Sequence, residues 1–307
     1  MLPRLSVTTF ALLFATACST SEDLSPASTA PSGPPQSFSA LTFNVLCSFC
    51  DTENYDSWDE RLVAFEDIFE RHDPDLLGLQ EISFGTEVDQ ILELRPGYEA
   101  LYYRASESTF TYPDATILFR SERFELLSSG EYWLSPTPEV PSSNGFAETQ
   151  LPRLVVWAEL RDRSSLRRLY FASTHVDNNA PSQELSAPLI LERTAPWQQQ
   201  MPVMVVGDFN SKPDVVAFTT LTEGGGDSDD PPVHDTQPLA TTWSAESNQP
   251  EEEEYLLGDR IDHLFIAPAP SDWQVDVWTV DLYRYGENDR YPSDHRAIFT
   301  RVTAPEL

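Results

Sequence analysis

Residues 202–210 read Pro202-Val203-Met204-Val205-Val206-Gly207-Asp208-Phe209-Asn210. The short apolar run suits a strand buried on both faces, bounded by Pro202 and Gly207. An acid and an amide, Asp208 and Asn210, follow where such a strand leaves its sheet. Loops held by a rigid sheet are where proteins tend to place chemistry.

The same pattern recurs in both directions along the chain. A strand is expected over residues 39–45, carrying Asn44, and another over 75–80, ending on Glu81. Residues 116–119, 124–133, 154–160 and 169–175 carry β-type residues between turn signals, and 260–266, 275–283 and 297–302 are expected as closing strands. Leu62, Phe65, Ile68 and Phe69 lie at helical spacing within 58–71, which Asp73-Pro74 stops. A second helix is expected over 86–94 and a strand near 98–103. Residues 183–199 have a helical pattern, but Pro188 and Pro196 inside it predict a kinked or broken helix. Gly224-Gly225-Gly226, the acids after it and Glu251 to Glu254 predict a long mobile acidic loop or an insertion over 223–259. Strands and helices alternate early and strands dominate later, which indicates an α/β class and a layered sandwich.

Composition narrows the function. The formal net charge is −31, from 50 acidic against 19 basic side chains, and Lys212 is the only lysine. Such a surface repels nucleic-acid backbones and cannot harvest counterion release, so a small substrate is favoured over a large polyanion. Hydrophobic residues make up 40% of the chain, enough for a packed core and too many for a disordered one.

The N-terminus has the form of an export signal over 1–17: Arg4, an apolar stretch and Ala15-Thr16-Ala17 before Cys18. Cys18 resembles the acylated cysteine of a bacterial lipobox, although Ala15 stands where leucine is usual. Residues 18–37, rich in Ser, Pro, Thr and Ala, then form a tether, and the globular domain spans 38–303. The protein is expected to be exported and lipid-anchored in a bacterial envelope, as a monomer. Cys47 and Cys50 form either a structural disulfide or two buried thiols.

The polar residues at strand ends are Asn44, Glu81, His175, Asp208, Asn210, Asp262, Asp294 and His295. Oxygen donors without thiolates suit a hard cation such as Mg²⁺ or Mn²⁺. Histidines beside separate carboxylates supply hydrogen bonds and proton transfer to a phosphoryl group. No G-x-S-x-G elbow and no G-x-x-x-x-G-K-[ST] loop is present, which disfavours a serine hydrolase and a P-loop nucleotide enzyme.

The ordered series T-F-N (Asn44), L-Q-E (Glu81), T-H-V-D (His175, Asp177), G-D-F-N (Asp208, Asn210), R-I-D-H (Asp262) and S-D-H (Asp294, His295) resembles the endonuclease/exonuclease/phosphatase superfamily. That resemblance implies a four-layer α/β sandwich, two packed mixed β-sheets flanked by helices. It also implies metal ligation by Glu81, with Asn44 and Asp294 close to the ion. Catalysis would fall to Asp208 on the attacking water, Asn210 beside it, and His295 and His175 on the phosphate, with Asp262 holding His295. The glutamate usually paired with the second histidine is missing at Pro113, and Asp114 next door is the substitute. Arg153 either meets an anionic substrate or pairs with one of the many surface acids. His72, His234 and His263 read as structural or exposed. The function this implies is Mg-dependent hydrolysis of a small or lipid-linked phosphate ester. The alternatives are a secreted Mg-dependent endo- or exonuclease, and a binding protein that kept the fold without catalysis.

Overall fold

The computed structural model describes residues 34–103, 113–146, 151–225, 229–249 and 255–307. Cys18, the expected signal at 1–17 and residues 18–33 of the expected tether lie outside these residues. In chain order the elements are β1 (Gln36–Asn44), α1 (Trp58–His72), β2 (Leu76–Gln80), α2 (Gly85–Leu94), β3 (Tyr98–Leu101), β4 (Ala115–Arg120), β5 (Phe124–Trp133), β6 (Leu154–Asp162) and β7 (Arg168–His175). They continue with α3 (Ala180–Gln198), β8 (Val203–Asp208), α4 (Val216–Glu223), β9 (His234–Asp235), β10 (Ala240–Glu246), β11 (Asp262–Ala267), β12 (Gln274–Asp281) and β13 (Ile298–Ala304).

Two mixed sheets form, with strand orders β10-β12-β13-β1-β2-β4-β3 and β5-β6-β7-β8-β11-β9. Strand side chains alternate between faces, and here both faces are buried. In β1, Phe38 and Ala40 enter the core between the sheets, whereas Leu41 and Phe43 pack under α1 and α2. In β8, Met204 and Val206 point inward and Val203 and Val205 pack under α3 and α4. The result is helix, sheet, sheet, helix.

The same alternation decides where the polar groups go. Asn44, Gln80, His175, Asp208 and Asp262 have the inward parity of their strands. Registers Asn44↔Gln80, His175↔Asp208 and Asp262↔Asp208 set them at one end of the sandwich. Below them the sheets touch: a Cβ on Gly78 would lie 2.3 Å from Val206 Cγ2, so only glycine fits. Thr42, Gln80 and Ser173 then begin a polar layer, Gln80 accepting from Thr42 (3.4 Å) and donating to Ser173 (3.2 Å).

Two expectations are corrected and one is narrowed. β1 opens at Gln36 rather than Ser39, pairing Gln36 with Ala304 and Ser37 with Thr303, so Gln36 and Ser37 belong to the sheet and not to the tether. Of the kinked or broken helix expected over 183–199, the broken form does not occur: α3 is a single element with Pro188 and Pro196 inside it. The carbonyls deprived of their donors belong to Glu184 and Glu192, both on the exposed face, where solvent satisfies them. Much of 223–259 is built structure instead of a loop: β9 pairs with β11, and β10 runs parallel to β12 at the sheet edge. Buried Val233 and the Arg260–Asp235 ion pair anchor it. Residues 226–228 and 250–254 lie outside the described ones.

Candidate active site

Asp208 sits at the centre, 1% exposed at the end of β8. Gly207 before it has φ +150°, and a Cβ there would meet Thr174 O at 2.0 Å, so β7 and β8 approach through a glycine. Asn210, at φ 48°, turns its N–H back to Asp208 Oδ1 (2.8 Å), a local turn that asparagine tolerates. Its side chain donates to Val176 O (2.9 Å) and its carbonyl accepts from Gln183 (2.7 Å). Asn210 therefore braces the loop after β8.

Two imidazoles face Asp208 Oδ2, His175 Nε2 at 3.4 Å and His295 Nε2 at 3.6 Å. Each is oriented from behind. His295 Nδ1 lies 2.8 Å from Asp262 Oδ2, and His175 Nδ1 lies 2.8 Å from Asp114 Oδ1. The two carboxylates fix the orientation of both rings. Burial alone would depress the His295 imidazole, but Asp262 and then Asp208 and Asp294 outweigh it and keep the ring cationic. Burial and Asp208 push the Asp262 carboxyl up, against the pull of His295. The pair shares one proton, and the imidazole, with more acids around it, keeps it. His175 is likewise raised: burial lowers it, and Asp114 more than compensates.

Asp114 does substitute as the partner of the second histidine. Burial would raise its carboxyl, yet His175 and Arg153 hold it well below the ordinary range. Arg153 donates to Asp114 Oδ2 at 2.6 Å and lies 2.9 Å from His175 Nδ1. It is thus an internal partner of a buried acid.

Glu81, half-buried at the end of β2, has φ 66°, a strained value for a side chain of its size. Its Oε1 accepts from Asn44 Nδ2 and its Oε2 from Cys47 N, both at 3.0 Å. Asn44 also donates Nδ2 to Asp208 Oδ2 (3.0 Å), while its Oδ1 accepts from Leu46 N (3.1 Å). Asn44, expected close to the ion, thus lies beside Glu81, with its Nδ2 toward the carboxylates and one lone pair of its Oδ1 on a backbone N–H. Asp294 is exposed, and Ser293 holds its segment by donating to Asn44 O (2.7 Å), with Asp294 Oδ1 at 3.3 Å.

Asp208, Asp262 and His295 bring one potential ligand atom each within 4.8 Å of one another. Their contacts with each other and with Asn44 and Asn210 already use much of that capacity, which suits proton handling better than ligation, although Asp262 Oδ1 is buried without a partner among the described residues. Cys47 and Cys50 are joined in a disulfide, so their sulfurs offer Glu81 no partner ligands. Glu81 and Asp294 each offer carboxylate oxygens, the donor type that fits a hard cation.

Arg61 is a site residue that the motifs do not include. It is 1% exposed in α1 and donates to Val45 O (2.5 Å), Leu46 O (3.0 Å) and Pro292 O (2.9 Å), tying the loop after Asn44 to the one before Asp294. Its position on the stripe of Trp58 and Phe65 was the available signal. His263 and His72 are structural: His263 Nε2 meets Ser211 O (2.8 Å), and His72 Nε2 meets Asp281 Oδ2 (2.8 Å). His234 is half-buried in β9.

The profile of the Endonuclease/Exonuclease/phosphatase family matches residues 41–295, a span that holds every one of these groups. The chain belongs to that family. Its members are hydrolases: phosphatases, phosphodiesterases and nucleases. A sequence comparison with curated proteins gives no match. Among solved structures, the family member from Bacteroides vulgatus superposes with a TM-score of 0.74 at 19% identity, covering 87% of this chain and 99% of the other. A mannosyl-6-phosphatase from Bacteroides thetaiotaomicron gives 0.72 at 22%, covering 87% and 99%. D. rerio TDP2, complexed with single strand DNA product, gives 0.62 at 19%, also covering 87% and 99%. At these identities the likeness shows the fold, with its two packed sheets and flanking helices.

Proposed function

We propose that the protein is a divalent-metal-dependent phosphoesterase that hydrolyses a small or lipid-linked phosphate ester. The observation that carries this reading is Asp208 held between two carboxylate-backed imidazoles and joined through Asn44 to Glu81. Asp208 orients a water for in-line attack on phosphorus and accepts its proton. His295, kept cationic by Asp262, and His175, backed by Asp114, donate to phosphate oxygens as negative charge builds on them. A hard cation held by Glu81 and Asp294 would neutralise charge on the phosphate and on the departing oxygen.

The net charge of −31 supports a small ester over nucleic acid, and the mannosyl-6-phosphatase with the same fold is consistent with that. The neighbour bound to single strand DNA keeps the nuclease reading as the second one. The deciding assay offers the purified protein, with Mg²⁺ or Mn²⁺ and with EDTA as control, a panel of hexose phosphates, sphingomyelin and plasmid DNA. Metal-dependent phosphate release from the small esters is expected. DNA cleavage at moderate salt with the small esters inert would establish a nuclease, and inactivity on the whole panel would leave a binding protein.

The site is further proposed to work at a bacterial envelope, tethered by acylation of Cys18, since several acyl chains anchor stably where one does not. Cys18→Ser should move the protein from the membrane to the soluble fraction. Unchanged fractionation would rule the anchor out.

A further inference from the structure

Beside the catalytic groups lies a cavity of about 270 Å³, lined by Tyr255, Asp259, Arg260, Asp262, His295 and Arg296, with Asp294 at its wall. Its volume equals roughly nine waters of the liquid, room for a three- to six-carbon polyol. Most of its charges are already matched. Asp259 meets Lys212 at 2.6 Å, Arg260 pairs with Asp235, and Asp262 holds His295. Asp294 is assigned to the cation. Arg296 is left over.

Arg296 is half-buried and forms no ion pair among the described residues, in a chain where acids outnumber bases 50 to 19. It is also held in place. Nη1 donates to Ser293 O and His295 O, both at 3.1 Å, and the guanidinium carbon stacks 3.3 Å from the centroid of the Tyr291 ring. Nε and Nη2 make no hydrogen bond among the described residues. A guanidinium fixed this way presents a planar fork suited to a carboxylate or phosphate.

We propose that this cavity receives the alcohol half of the substrate, and that Arg296 selects esters whose alcohol carries a second negative charge. The inference rests on the phosphoesterase reading and narrows its substrate class to small, doubly anionic esters. Arg296 is a specificity residue by this account, and its effect belongs in KM more than in kcat.

Matched probes test it with the full-length protein in Mg²⁺: glycerol 3-phosphate against 3-phosphoglycerate, and glucose 6-phosphate against glucose 1,6-bisphosphate. The wild type should favour the more anionic partner of at least one pair by about tenfold or more in kcat/KM. The first pair reports on a carboxylate and the second on a phosphate. Arg296→Gln should bring that ratio to near one through KM, and Arg296→Lys should restore part of it. Equal handling of both pairs by the wild type, or an equal loss on every probe in Arg296→Gln, would overturn the proposal. Calorimetric titration with the same four probes separates this from failure of the enzyme reading. A charge preference in binding without hydrolysis leaves the subsite standing and removes the enzyme. Hydrolysis without any charge preference does the reverse.

Discussion

Asn44 on β1 and Asp208 on β8 belong to different sheets, and the Nδ2 of one donates to the Oδ2 of the other at 3.0 Å. The same nitrogen serves Glu81 at 3.0 Å. One amide therefore spaces the carboxylate proposed to hold the cation from the carboxylate proposed to act on water. Asn44→Asp would place a third carboxylate between them and remove both donations. The variant should lose about 3 kcal/mol of stability, as expected for an uncompensated buried charge. Its kcat should fall by about 100-fold from misplacement of the reacting groups. Urea unfolding and steady-state kinetics measure the two effects separately, and a fully active, stable variant would mean the bridge is incidental.

Asp208→Asn and His295→Gln should each reduce kcat by about 10²–10⁴-fold while leaving the fold intact. The double variant should be little worse than the poorer single one, because groups in one proton relay fail together. Near-ultraviolet circular dichroism checks the fold. Near-normal turnover in both single variants would remove the site assignment.

Arg153→Met leaves the buried Asp114 with His175 and the Glu81 N–H, and without its guanidinium partner. Breaking a buried pair by removing one partner costs about 3–5 kcal/mol. Adding Asp114→Asn to that background should recover part of the loss, and His175, deprived of its support, should leave kcat low. A double-mutant cycle in chemical denaturation reads this coupling. Additive losses would show that Arg153 and Asp114 act independently.

His263 sets a pH dependence of stability. Burial first, then the Arg260 charge, lowers its imidazole to about 3 from the ordinary 6.5, and Nδ1 has no partner among the described residues to receive a proton. Below the unfolded value the unfolded chain takes up a proton that the folded chain refuses. Stability from this residue is therefore complete above pH about 6.5 and is lost as pH falls towards about 3, at about 1.4 kcal/mol per unit. His263→Gln, which does not titrate, should show a correspondingly shallower acid limb in unfolding free energy between pH 6 and 4. Identical slopes would place the acid sensitivity elsewhere.

Much of this architecture could be read from the chain because its central strands are buried on both sides and end abruptly in polar groups. Val203 to Asp208 is such a case, and so is Leu76 to Gln80 with Glu81 beyond it. The strand β10 could not be read that way. Its side chains are mostly exposed, with no alternation to report, and its pairing with β12 is settled by residues far along the chain. Arg61 escaped because a helical arginine reads as a solvated residue until its carbonyl partners are in view. The orientation of Asn44 depends on Leu46 N–H, a backbone group that no side-chain motif encodes. Asp114 was legible only as a neighbour of the position where the family pattern expects an acid.

At Gly78 the sandwich leaves no space for even one methyl group against Val206. Because Glu81 hangs from one sheet and Asp208 from the other, the thickness of the protein at that point is also the gauge of its reactive cleft. Alanine at position 78 would act as a shim, prying apart groups it never touches, and the injury would be felt first in rate and only afterwards in folding.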